Sequence, residues 1–344
     1  MALSDLDLNR RILVVYVGGT IGMRQSADGL SPQRDLPTAL AVKLAPWGGQ
    51  LPLFSIESLD EPIDSAEAEP ADWLRIARHI AERCNRYDGF VILHGTDTMA
   101  YTASALGFML RGIDQPVIVT GAQVPLETPG SDALDNVVSA LTFAACPALS
   151  GVGLAFDRVL YRGCRTTKVS SSDFAGFDSP NHPPLARLDD SLSIDAEAVK
   201  QPDTGGLAFE LPDQFGATVL SLRVVPGMQP ALLDALLDLG PQGLILECYG
   251  SGTVPGLGGR MLGFLERAMN RGVVVVALSQ ALHGGVRLGT YAAGSALVKA
   301  GVIDGRDLTF EAAFTKLHHL LAQGLPSAAV RGAFTRNLTG ECRE

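Results

Sequence analysis

The chain reads as an α/β protein of two domains with largely parallel sheets, a larger N-terminal domain and a smaller C-terminal one. Three observations point there. Short apolar runs such as ILVVYV, FVIL and VVVVAL suit strands buried on both faces. Segments with helical apolar spacing separate them, and strand–helix alternation implies parallel pairing through crossover helices. The alternation lapses once, over a stretch rich in Ser, Asp and Pro between Ser170 and Phe215, and then resumes. This divides the chain into residues 1–190, a linker 191–215 and residues 216–344, and 344 residues suffice for two domains of ordinary size.

The first strand is Arg11 to Val17, β-branched and aromatic, ended by Gly18-Gly19. A polar loop follows from Thr20 to Pro37, punctuated by Gly29 and Pro32. Leu51 to Leu59 reads as a second strand, and the acidic stretch Asp60 to Pro70 as a connection. Trp73, Leu74, Ala77 and Ile80 give Ala71 to Arg86 a helical stripe. Phe90 to Leu93 is a buried strand stopped at His94-Gly95, with a helix over Met99 to Leu110. Pro116 to Thr120 is another strand, ended by Gly121, and Asp132 to Ala145 a helix. Gly151 to Phe156 and Val159 to Tyr161 flank Asp157-Arg158 as a hairpin. Beyond the linker come strands Thr218 to Val225, Gly243 to Glu247 and Val273 to Leu278. They alternate with helices Ala231 to Leu239 and Gly259 to Arg271, and the tail is helical over Thr309 to Gly324 and Pro326 to Asn337.

Composition narrows the function. The chain is 47% hydrophobic and 19% charged, with a net charge of −10. That balance argues against nucleic acid or an anionic membrane as partner, since phosphate binding needs clustered Lys and Arg. Five widely spaced cysteines without a CxxC pair fit a reducing compartment. Asp5 and Asp7 stand where a secretory leader would be basic, and no apolar run has membrane-spanning length, so a cytoplasmic location is expected. The six histidines show no metal-ligand spacing, and no metal or cofactor is expected.

Polar groups at strand ends are the candidate chemistry, because ligands of open α/β sheets bind beyond the carboxyl ends of the strands. Thr20 follows Gly18-Gly19, which permit positive φ and close backbone approach. Asp64-Ser65 lies between a strand and a helix, where capping is the ordinary role. Thr96 and Asp97 follow His94-Gly95; a helix cap and a catalytic hydroxyl beside a carboxylate are both consistent with that position. His94 itself reads as a packed strand-end residue rather than a base. Lys168, in RGCRTTK, is either a solvated charge or the base a Thr hydroxyl needs to become a nucleophile. Together these groups suggest acyl transfer to water without a metal.

At these residues the chain resembles the bacterial cytoplasmic, type I L-asparaginases. GFVILHGTDTM at 89–99 matches one family signature throughout. VYVGGTIGM at 15–23 matches the other, with Val17 where a Thr is usual. YRGCRTTK, PVIVTGAQVPL and Asp64-Ser65 match as well, so the resemblance spans about residues 11–340. It implies a dimer or dimer of dimers, a small amino acid as substrate, Thr20 as primary nucleophile and Thr96, Asp97 and Lys168 as a second catalytic set. Asp64, Ser65, Thr96 and Asp97 would hold the amino-acid substrate. Two departures stand out. The family's usual Tyr ten residues after the first Thr is Leu30 here, which leaves open a glutamine-preferring amidase or an amino-acid binder with impaired catalysis. An amidotransferase subunit resembles the family too but carries an extra N-terminal domain. Glu247 and Ala281 occupy the positions of an effector site for asparagine, so no such allostery is expected.

Overall fold

A computed structural model describes residues 7–26, 29–32, 35–202, 209–289 and 292–343, with side chains at 25–34 and 290–293 outside the description. The chain divides into two compact units, residues 1–211 and 212–344.

In the first unit the strands are β1 (Arg11–Gly18), β2 (Met23–Ser26), β3 (Gly29–Pro32), β4 (Leu53–Ile63), β5 (Gly89–Leu93), β6 (Pro116–Thr120), β7 (Gly151–Phe156), β8 (Val159–Arg162), β9 (Thr167–Lys168), β10 (Phe177–Asp178), β11 (Ala186–Leu188) and β12 (Leu192–Ile194). The helices are α1 (Leu36–Leu44), α2 (Pro70–Ala81), α3 (Met99–Met109) and α4 (Ala133–Ala144). An eight-stranded sheet runs β12-β11-β8-β7-β6-β5-β1-β4. β4, β1, β5, β6 and β7 are mutually parallel, and β8, β11 and β12 continue antiparallel.

The apolar runs sit centrally, as strands covered on both faces must: β5 and β6 are buried at every residue. Ile12, Val14 and Tyr16, on one face of β1, pack in a core with Leu40 and Leu44 of α1 and Val137 and Leu141 of α4. Asp157 and Arg158, with φ of 47° and 63°, make the expected tight turn between β7 and β8.

The second unit holds β13 (Val219–Arg223), α5 (Ala231–Asp238), β14 (Gly243–Cys248), α6 (Arg260–Asn270), β15 (Val274–Ser279), α7 (Ala292–Lys299), β16 (Ile303–Asp304), α8 (Phe310–Ala322) and α9 (Ser327–Phe334). Its sheet, β13-β14-β15-β16, is parallel throughout.

The structure departs from the sequence reading where periodicity is weak. Helix α1 occupies a region given no element, although Leu36, Leu40 and Leu44 recur at helical spacing and all are buried. β4 runs on to Ile63 through the acidic stretch; an edge strand is covered on few sides and keeps little apolar pattern. β12 lies inside the expected linker, at the edge of the first sheet, and the first unit continues to Leu211. Its three residues are too few to show a period. Within the expected 20–37 loop, β2 and β3 pair antiparallel, from Met23 with Pro32 to Ser26 with Gly29. Leu30 is on β3, and its side chain lies outside the described residues.

Three turns meet at the carboxyl ends of β1, β4 and β5, and the one after β1 touches the other two through backbone. Gly18 has φ +136°, and a Cβ there would come closer than 3.0 Å to the Ile63 carbonyl oxygen. A Cβ on Gly19, φ +93°, would overlap the Gly95 amide, and one on Gly95 would overlap the Ser65 hydroxyl. Left-handed strain and overpacking each cost about 1–3 kcal/mol. Gly18→Ala is therefore expected to lower unfolding free energy by at least about 2 kcal/mol in urea titration. A loss below about 0.5 kcal/mol would contradict the backbone contact.

Candidate active site

The His94–Thr98 turn begins where β5 stops. His94 is 1% exposed, and its backbone N–H donates to Thr120 O at 2.8 Å, so the turn starts while still anchored to β6. Its Nδ1 lies 2.8 Å from the Gly95 carbonyl, which only accepts, so Nδ1 carries the proton. Nε2, 2.9 Å from Thr102 Oγ1, then accepts from that hydroxyl. The imidazole thus ties the turn to α3. Burial pushes its pKa below the ordinary 6.5, against the opposing pull of the Gly95 hydrogen bond and the Asp72 charge. His94 is a neutral strut.

Thr98 is the N-cap of α3 and makes no side-chain cap bond; its hydroxyl donates to Ser65 O at 2.8 Å, holding the Asp64-Ser65 turn. Thr96 and Asp97 therefore do not act as the helix cap. Both are taken by Lys168, whose Nζ donates to Thr96 Oγ1 and to Asp97 Oδ1, each at 2.8 Å. Lys168 sits on β9, paired antiparallel with β10 through Phe177, and its side chain is 20% exposed against 66% for Asp97. The lone surface lysine that its local sequence allowed is instead part of a three-group cluster.

Thr20 opens a 3-10 turn, Thr20–Gly22, on the Gly19 side of the same junction. Ile21 O accepts from Leu126 N–H at 3.2 Å, which joins that turn to the loop after β6. Asp64 does cap its own short turn, accepting from Ala66 N–H at 3.0 Å, while Ser65 is buried against Gly95. Thr20, Asp64 and Ser65 thus lie on turns packed against the one that bears Thr96 and Asp97. Among the described residues no His, Cys, Asp or Glu cluster could hold a metal ion. No helix among them is long and apolar enough to cross a membrane.

The loop after β6 carries two residues that the sequence alone does not single out, Gln123 and Asp132. Asp132 is 6% exposed and stands at the N-cap of α4, yet its carboxylate does not cap that helix. It accepts from Gln123 N–H at 2.9 Å, Val124 N–H at 3.0 Å and Asn136 Nδ2 at 2.9 Å. The clamp presents Gln123 to Thr96, whose hydroxyl donates to Gln123 Oε1 at 3.3 Å. PVIVTGAQVPL matched a family motif, but nothing local ties Gln123 to a residue 27 positions earlier.

The neutral His94 has a linkage consequence. Its folded pKa lies below the unfolded value, so the unfolded chain binds more protons below pH 6.5. His94 is thus expected to take stability away as pH falls from 6.5 toward its folded pKa, and to have no effect above 6.5. Denaturant titrations of His94→Gln should show a shallower loss of stability over that acid range than the wild type. Parallel curves would contradict the buried neutral ring.

Comparison with known proteins identifies the family. The family model described as "Asparaginase, N-terminal" matches residues 11–200, and "Glutaminase/Asparaginase C-terminal domain" matches 218–334. L-asparaginase 1 of Escherichia coli K12 is 41% identical over 96% of this chain and 98% of its own. The crystal structure of L-asparaginase I from Vibrio cholerae superposes with a TM-score of 0.88 at 38% identity, covering 98% of this chain and 100% of that one. A longer human protein, 60 kDa lysophospholipase, is 37% identical over 96% of this chain and 61% of its own length. The chain belongs to the asparaginase family of amidohydrolases.

Proposed function

We propose that this chain hydrolyses L-asparagine to L-aspartate and ammonia through a threonyl acyl-enzyme. The Lys168 ammonium shared between Thr96 and Asp97 carries the reading. A Thr hydroxyl is a poor nucleophile unless a neighbour takes its proton, and the Lys168 amine, held at 2.8 Å, takes one once its ammonium has passed a proton on. Thr20 is the first nucleophile. Its oxygen bonds to the amide carbon, the C–N bond breaks, and the hydroxyl proton leaves with ammonia. Water then cleaves the ester, returning the Thr hydroxyl and releasing the aspartate carboxylate. Thr96, Asp97 and Lys168 relay protons, and backbone N–H groups of the two Thr turns face the oxyanion.

Asp64, Ser65 and Asp97 bind the amino-acid head group; Asp97 engages Lys168 through Oδ1, yet its side chain remains 66% exposed and open to a substrate ammonium. With Leu30 in place of the family's Tyr, the complete Thr96–Asp97–Lys168 set bears more of the proton transfer. Glu247 pairs with Arg223 at 3.1 Å, and its negative charge at the effector position disfavours an effector carboxylate, so the rate curve is hyperbolic. Dimers or dimers of dimers are the expected assembly.

Purified protein given asparagine is expected to release ammonia, with hyperbolic dependence on substrate. Thr96→Ala and Lys168→Met should each lower kcat by about 100-fold or more. Ammonia release undiminished in both variants would reject the mechanism. Thermal stabilisation by asparagine without turnover would favour a binder, and faster release from glutamine would move the preference there. Lysophosphatidylcholine serves as the ester control and should release no fatty acid. Leu30→Tyr reports whether a phenol at that position raises the rate.

A further inference from the structure

We infer that Gln123 is a positioning residue of this site: it fixes the rotor of the Thr96 hydroxyl and couples it to the loop that follows Lys168. The inference rests on the amidase reading for its kinetic test and on the geometry for the rest.

A threonine hydroxyl has a single proton. Thr96 donates it to Gln123 Oε1 at 3.3 Å, which leaves the Oγ1 lone pairs facing Lys168 Nζ at 2.8 Å. In this arrangement Lys168 can only donate to Thr96. For Thr96 to pass its proton to Lys168, the ammonium must first release one to Asp97 or water, and the O–H must swing away from Gln123. Gln123 therefore both seats the oxygen and orders the proton transfer.

The orientation of the Gln123 amide is itself determined. Its Nε2 donates to Asp173 O at 3.0 Å and Ser170 O at 3.4 Å. Backbone carbonyls accept and never donate, so the amino end must face them and the carbonyl end must face Thr96. Those carbonyls belong to a compact loop closed by Val169 N–H and Ser170 N–H donating to Gly176 O, at 2.8 and 3.2 Å. A Cβ on Gly176 would lie 3.0 Å from Gln123 Nε2, so the loop and the amide fit closely. Phe174, 45% exposed at the loop tip, offers an outside handle on this bridge. At the other end Asp132 grips the Gln123 and Val124 amides, so the side chain hangs from a fixed backbone.

Gln123→Leu removes both ends of the bridge. Gln123→Glu keeps an oxygen to accept from Thr96 but cannot donate to Ser170 or Asp173. In the full chain, Gln123→Leu is expected to lower kcat about tenfold or more while KM for asparagine stays within about twofold. Gln123→Glu should retain several-fold more kcat than Gln123→Leu. Both variants should be cut by chymotrypsin at Phe174 faster than the wild type, at unchanged thermal midpoint. A Gln123→Leu kcat within about twofold of the wild type overturns the inference. So does an equal loss in both variants that tracks their thermal midpoints. If the wild type releases no ammonia, the amidase reading fails by itself. The proteolysis then decides the bridge, and equal cleavage of wild type and Gln123→Leu rejects it.

Discussion

The close approach of backbone between Gly18 and Ile63 and between Gly19 and Gly95, with the Ser65 side chain packed on Gly95, is the constraint on which the site depends. The polar side chains at issue are short: Thr20, Asp64, Ser65, Thr96 and Asp97 reach only a few atoms from the main chain. Such groups converge on one small substrate only if their backbones nearly touch. Parallel β4, β1 and β5 end side by side and deliver the turns to one edge, and glycine removes the Cβ atoms that would hold them apart. The eight-stranded sheet is in this sense a device for bringing three chain reversals together.

Electrostatics then acts on what the backbone has assembled. Lys168 comes from outside the parallel set, on the short β9, and satisfies Thr96 and Asp97 with one ammonium. Side chains that normally serve local structure are drawn toward the site. Asp132 clamps the Gln123 loop instead of capping α4, and Thr98 holds Ser65 instead of capping α3. Forgone caps cost about 1 kcal/mol each. Free energy that would have steadied two helices instead holds the groups around Thr96 in register.

Most of the fold was legible because buried parallel strands need continuous apolar runs, and β1, β5 and β6 have them. The flexibility needed at Gly18 and Gly19 was legible too. β12 escaped because three residues display no period, and β4 was cut short because an edge strand tolerates charge. In the site, Thr96 and Asp97 were visible as a motif, but local sequence left capping and catalysis balanced. The deciding partner, Lys168, lies 71 residues from Asp97, a distance no periodicity spans. Family resemblance supplied that pairing in advance, while Gln123 and Asp132 emerged only from hydrogen bonds across separate elements.

The proposed chemistry is covalent, with the acyl group carried by a threonine on these packed turns. Rapid quenching of the wild-type protein during turnover of asparagine, followed by peptide mass mapping, tests it most directly. An ester adduct of asparagine less ammonia is expected on the peptide bearing Thr20 or Thr96, absent from a Thr20→Ala/Thr96→Ala double variant that no longer turns over. Continued ammonia release by that double variant, with no adduct on either peptide, would contradict it.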